Sequence, residues 1–227
     1  MFKEIVKNVW VINANSYENN TYIIVKNKEC IIIDPSSYYD EIVKFIEEKH
    51  LKLLAIILTH AHFDHYGISN DLAEKFGVKI YVHENEKPQF DLFYIDLFAE
   101  PAKKAKFPMS KVDWNNIKLF NDRNLRFNDI DIDVIRTPGH TLGGVVLIYD
   151  KNKFFTGDTM FTDGVGVSNL PGSNINMILN SLYKLSQVLR DDDYILCGHY
   201  QKYCLYKDVK AKNVYVQQVL SSDIKKK

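Results

Sequence analysis

Apolar residues in this chain come in short blocks, and the spacing within the blocks changes along it. Val9-Trp10-Val11-Ile12, Thr21 to Val25 and Cys30 to Ile33 are β-branched and aromatic runs of strand length, parted by polar turns at 13–15 and 26–28. Asp34-Pro35-Ser36-Ser37 breaks this pattern, and Ile42, Phe45, Ile46 and Lys49 then recur at helical spacing, which predicts a helix over 38–49. Leu53 to Leu58 is unbroken and apolar, as a short strand buried on both faces reads. Asn70 to Phe76 predicts a helix closed by Gly77, and Val78 to Val82 predicts another strand. Strand, helix and strand in alternation indicate an α/β layered domain.

Residues 84–116 break the rhythm with Pro88, Pro101 and Pro108, lysines at 103, 104 and 106, and aromatics from Phe90 to Trp114. They predict short helices and loops over the domain, with aromatic packing onto the core as the default and a binding-site lining as the alternative. Strand patterns resume at 117–120, 124–127 and 130–136, then at 145–149 and 153–156. A glycine-containing loop covers 160–173. Ile178, Leu182, Leu185 and Leu189 mark one stripe of an amphipathic helix over 175–189. Tyr194 to Cys197 reads as a last strand, residues 209–220 as a closing helix, and Lys225 to Lys227 as a solvated tail.

Composition narrows the functions. At 227 residues the chain fits one domain, 1–227, with 84–116 as a variable segment. Lys plus Arg and Asp plus Glu are 29 each, so nothing in the bulk charge favours a nucleic acid or membrane partner. A small-molecule substrate is the expected partner, and the balance leaves monomer and homo-oligomer equally open. The three cysteines, Cys30, Cys197 and Cys204, form no CxxC pair, and the N-terminus has no apolar leader pattern. No run reaches the ~18 apolar residues of a membrane helix. These features point to the cytoplasm.

The chemistry concentrates in Leu58-Thr59-His60-Ala61-His62-Phe63-Asp64-His65-Tyr66-Gly67, where three of the seven histidines and one aspartate fall directly after a buried strand. Imidazole nitrogen and carboxylate oxygen are ligands for zinc and similar divalent ions. A surface loop that happens to be histidine-rich is the competing account, and it explains only this segment. His140 in Thr137-Pro138-Gly139-His140-Thr141, Asp158 in Thr156-Gly157-Asp158 and His199 in Cys197-Gly198-His199 each follow another apolar run, beside a glycine that permits a sharp turn. Four strand ends, each bearing a ligand, point to one shared site.

In these runs the chain resembles the metallo-β-lactamase superfamily, and within it the glyoxalase II-like (hydroxyacylglutathione hydrolase-like) group. The resemblance covers roughly residues 5–200 and rests on HxHxDH at 60–65, TPGHT at 137–141, GDTMF at 157–161 and Gly198-His199. It implies an αββα four-layer sandwich and two divalent metal ions, zinc first, with iron or manganese as alternatives. By position, His60, His62 and His140 would hold the first ion, Asp64, His65 and His199 the second, with Asp158 bridging. The implied reaction is attack by a metal-held hydroxide on a small ester or thioester, with Asp64 also orienting the water or handling its proton. A lactonase and a mononuclear-iron enzyme like the persulfide dioxygenases are the alternatives. A β-lactamase, a nuclease and a metal-stabilised binding domain without turnover are disfavoured.

The chain departs from the group's pattern in three places. Where many members read GxGRTD, it reads Gly164-Val165-Gly166-Val167-Ser168-Asn169; where many read PGHG, it reads Cys197-Gly198-His199-Tyr200; the IDPG turn is Ile33-Asp34-Pro35-Ser36. Only 28 residues follow His199, as in the group's short forms, so glutathione is not expected to be held in the usual way. Tyr66, Tyr200 and Tyr203 are candidates to orient a substrate carbonyl, with packing beside the site as the equal alternative. Cys197 reads more readily as a buried core residue than as an oxidisable thiol, and His50 and His83 as surface or structural.

Overall fold

The computed structural model describes residues 2–13, 19–90 and 112–221. The chain divides into two compact units, Met1–Asn121 with Arg126–Ile130, and Asp122–Leu125 with Asp131–Lys227.

The first unit is built on a seven-stranded sheet in sequence order: β1 (Lys3–Val6), β2 (Val9–Asn13), β3 (Asn20–Lys26), β4 (Glu29–Ile33), β5 (Lys52–Ile57), β6 (Ile80–His83) and β7 (Ile117–Phe120). The first four strands pair antiparallel, as their short polar turns allow. From β4 onward the pairing is parallel, because helices carry the chain back: α1 (Tyr39–Glu48) links β4 to β5, and α2 (Phe63–Tyr66) with α3 (Ser69–Phe76) links β5 to β6. Strands covered on both faces must be apolar throughout, and Cys30 to Ile33 and Ala55 to Leu58 are fully buried. Ile42, Phe45 and Ile46 of α1 and Leu72 and Ala73 of α3 supply the facing apolar stripes. Gly77 ends α3 in the left-handed conformation expected of a C-terminal glycine.

The second sheet has six strands, ordered β13 (Cys204–Leu205), β12 (Tyr194–Cys197), β11 (Lys153–Gly157), β10 (Val145–Tyr149), β9 (Ile130–Arg136) and β8 (Leu125–Phe127). β9, β10 and β11 pair antiparallel, whereas β11 and β12 run parallel across α4 (Ile175–Ser186). Asn174 caps α4, its Oδ1 accepting from the amides of Asn176 and Met177 at 2.9 and 3.2 Å. Ile178, Leu182 and Leu185 bury the predicted stripe against Val146, Phe154 and Ile195.

The strand pattern of the sequence recurs here with boundaries shifted by a residue or two, and the α/β class stands. Strands β1 and β13 and helix α2 were not among the predicted elements, and one predicted element differs. The closing helix over 209–220 is two helices, α5 (Tyr206–Lys212) and α6 (Val214–Ser221). Asn213 splits them: its Oδ1 accepts the amides of Tyr215 and Val216, and its Nδ2 donates to the carbonyls of Phe161 and Gly164. An asparagine that caps one helix and ties down a loop competes with helix continuation. Of the segment 84–116, residues 84–90 form a 3₁₀ helix (Glu84–Phe90) and 91–111 lie outside the described residues, as does the tail after 221.

Candidate metal centre

In the first unit the ligand run leaves the carboxyl end of β5, where parallel strands of an α/β sheet commonly present binding loops. His62 stands at the N-cap of α2, and its carbonyl accepts the amides of His65 and Tyr66 at 3.0 and 3.1 Å. That single helical turn folds the run back on itself. The His60 ring centroid lies 4.8 Å from that of His62 and 4.0 Å from that of His65. All three imidazoles are buried, and Asp64 is partly exposed.

A second layer holds them. Asp34 is buried at the end of β4; its Oδ1 accepts the Thr59 amide at 2.8 Å and its Oδ2 the Thr59 hydroxyl at 2.6 Å. The same Oδ2 lies 2.9 Å from His65 Nδ1, and Thr59 Oγ1 lies 3.2 Å from His60 Nδ1. Engaging Nδ1 in this way suits Nε2 of His60 and His65 to serve as the metal-facing nitrogen, the usual arrangement of a ligating histidine. Glu86, fully buried, accepts the Ala61 amide between the first two histidines at 2.8 Å. Gly67 cannot be replaced here, since a Cβ would sit 1.8 Å from the Ser36 carbonyl oxygen.

In the second unit three candidate ligands come from three strand ends. His140 follows β9, Asp158 follows β11 and His199 follows β12. The parallel register sets Gly157 beside Cys197, and the Gly198 amide donates to the Gly157 carbonyl at 2.9 Å, so Asp158 and His199 emerge side by side. Asp158 Oδ2 lies 3.5 Å from His140 Nε2 and 3.5 Å from His199 Nε2. These separations exceed a good hydrogen bond. They match neighbouring ligand atoms on a tetrahedral ion at ~2.1 Å, which are ~3.4 Å apart. A carboxylate oxygen placed equally against two imidazoles suits a bridging ligand, so this donor set fits divalent metal binding. His140 Nδ1 faces the Val167 carbonyl oxygen at 2.8 Å. That close approach needs Gly166, where a Cβ would stand 2.5 Å from the Asp158 carbonyl oxygen and 2.6 Å from His140 Nδ1.

Residues 17–199 match the profile of the Metallo-beta-lactamase superfamily. The chain belongs to that superfamily. It is 30% identical over 190 residues to the "Probable metallo-hydrolase YqgX" of Bacillus subtilis, covering 79% of this chain and 84% of the relative. It is also 30% identical over 198 residues to the "Hydroxyacylglutathione hydrolase GloC" of Haemophilus influenzae, covering 85% and 90%. Among solved structures, the BLEG-1 B3 metallo-beta-lactamase superposes with a TM-score of 0.80 at 25% identity, over 95% of this chain and 99% of that one. The two-sheet α/β fold is that of the metallo-β-lactamases. Membership assigns the broad class, a metal-binding hydrolase, and the glyoxalase II-like group accommodates the chain.

Asp34 and Glu86 were not among the residues singled out in the sequence. Asp34 did carry a signal, since it too follows an apolar run, Ile31 to Ile33, at a strand end. Glu86 carried none; a tertiary turn alone brings it to Ala61. Tyr66 is buried against Phe90, and burial, helped by Asp71, pushes its phenol up to about 12, so it stays neutral. Tyr200 and Tyr203 are exposed. Cys197 lies in the second unit's core, where a hydrogen bond with Cys204 and then burial push its thiol up. His83 is buried against Phe120 and His50 is on the surface.

Proposed function

We propose that the two sets of ligands act together as a dinuclear hydrolytic site, cleaving a small ester or thioester. His60, His62 and His140 would hold a first ion and Asp64, His65 and His199 a second, with Asp158 as a ligand to both. The observation that carries this reading is the Asp158 oxygen set 3.5 Å from each of two imidazole nitrogens. Bound there, divalent cations, zinc foremost, supply Lewis acidity that brings a water's pKa to about 7 and polarises a carbonyl.

The chain's own groups do the rest. Asp64, partly exposed on α2, orients the attacking water and accepts its proton. Asp34 fixes the His65 ring and, through Thr59, the His60 ring, so neither reorients as charge develops. No serine or cysteine nucleophile is required, and the raised Cys197 thiol would be a poor one. Among the described residues no helix is long and apolar enough to cross a membrane. Cys30, Cys197 and Cys204 are buried and form no disulfide, which supports a reducing, cytoplasmic setting.

The test is metal analysis of the purified protein followed by a panel of acyl thioesters, esters and lactones. Two zinc ions per chain with thioester or ester turnover is the expected result. Preference for lactones would redirect the substrate assignment, and one iron per chain with oxygen-dependent turnover would replace hydrolysis by oxygenation. No turnover by protein with both ions bound would sink the proposal.

A further inference from the structure

Cys197 and Cys204 meet in the second unit although Gly198 to Tyr203 separate them along the chain. β12 and β13 pair with Ile195 opposite Cys204, and side chains alternate along a strand, so Cys197 shares the face of Ile195 and Cys204. All three pack into one buried cluster. There the two thiols hydrogen-bond to each other, and the Thr162 hydroxyl donates to Cys204 Sγ at 3.3 Å. The pair is not joined as a disulfide.

The two sulfurs are not equivalent. Cys197 is fully buried, whereas Cys204 lies on the edge strand and keeps 8% exposure. The hydrogen bond from Cys197 lowers the Cys204 thiol from its ordinary value; burial works against this, and the bond from Thr162 adds to it. A sulfur that gives up its proton more readily, with a second sulfur in contact behind it, is how reactive cysteine pairs are arranged. Cys30 is the contrast: burial, then Glu29, push its thiol up to about 12.

The residues between the two sulfurs include the candidate ligand His199. A disulfide draws its sulfurs to ~2.05 Å, well inside hydrogen-bond range, so the chain on one side must follow. Cys197 is held by pairing with Gly157 of β11, which leaves the short edge strand β13 and the 198–203 loop to take up the movement.

We propose that Cys197 and Cys204 form an oxidation site, and that closing their disulfide shifts the loop bearing His199 and weakens metal binding; the second half rests on the metal-centre reading. The oxidant is hydrogen peroxide. Cys204 Sγ takes one peroxide oxygen as the O–O bond breaks, giving a sulfenic acid and water. Cys197 Sγ then displaces that oxygen, which leaves as water with the Cys197 proton. Two electrons pass from the sulfurs to the peroxide, and two waters are formed.

The test treats the zinc-loaded protein with peroxide, alkylates the remaining thiols and digests with trypsin. Cleavage after Lys202 separates the cysteines, so only a disulfide holds their two peptides together. Zinc affinity is measured by chelator competition before and after treatment, beside Cys204→Ser and Cys197→Ala. In wild type the two peptides are recovered joined, Cys30 is recovered alkylated, and zinc is held at least tenfold less tightly until a phosphine reductant restores it. Neither variant gives the joined peptides, and both keep their zinc affinity through the treatment. Absence of the joined peptides overturns the oxidation site. Joined peptides with unchanged zinc affinity overturn its effect on the metal, as does an equal loss of affinity in Cys204→Ser. If the reduced protein takes up no zinc, the metal-centre reading fails, and the oxidation site is then decided by the joined peptides alone.

Discussion

The two units arrange their candidate ligands in opposite ways. The first takes four from one stretch of six residues, His60 to His65, folded by a single helical turn after β5. The second takes one from each of three strand ends, brought level by the parallel pairing of β11 with β12 and the antiparallel run from β9 to β11. Their supports differ too. In the first unit the buried partners are side chains, Asp34, Thr59 and Glu86. In the second, His140 faces a main-chain carbonyl, that of Val167, reached only because position 166 lacks a Cβ. A support made of side chains can be lost by substituting it; a support made of backbone is lost only by pushing the backbone away.

Asp158→Ala should have the largest effect, since both imidazoles of the second unit converge on that carboxylate. If Asp158 bridges two ions as proposed, its loss should lower kcat/KM on the order of 10³-fold and reduce metal content, with the melting temperature changing little. Retention of both ions and most of the activity would break the contrast between a gathered and a local set. Asp34→Ala should follow, weakening metal affinity by about 10- to 100-fold, while Asp34→Asn, which retains an oxygen acceptor, should lose less. Isothermal titration of the metal-free protein with zinc reads this directly, and equal affinity in both variants would refute a positioning role.

Gly166→Ala should lower kcat/KM by roughly tenfold as the loop withdraws from Asp158 and His140. Gly164→Ala, where an added Cβ meets nothing within 4 Å, is the matched control and should behave as wild type. The smallest effect concerns pH and compares the two cores. Burial pushes the Tyr66 phenol in the first unit and the Tyr206 phenol in the second up to about 12, from an ordinary value of 10.0. Above pH 10 the unfolded chain has released these protons and the folded chain still binds them, so stability falls as pH rises toward 12. The loss should be about 1 kcal/mol per group between pH 10 and 11, and Tyr66→Phe should remove its share in urea denaturation curves. A slope unchanged by Tyr66→Phe would show that its phenol ionises normally.

Much of this was legible in the chain because the physics concerned is local. Strands covered on both faces show as unbroken apolar runs, which is why Cys30 to Ile33 and Leu53 to Leu58 read correctly as strands. The four candidate ligands at 60–65 were visible as a set because one turn of chain holds them. The division of the closing helix at Asn213 was not, because that break depends on carbonyls at Phe161 and Gly164, some fifty residues earlier. β13, only Cys204 and Leu205, was missed for a related reason: two residues carry no periodicity, and pairing with β12 alone makes them a strand.

By itself the sequence determined the α/β class and the superfamily and presented the candidate donor set, since each depends on residue type and short-range spacing. Tertiary structure decided which side chains stand behind the ligands and how near they come. Asp34 and Glu86 acquire their roles, and Gly166 its necessity, only when segments distant in the chain approach within hydrogen-bond or van der Waals range. Such approach is set by strand order and register, and no window of neighbouring residues contains that information.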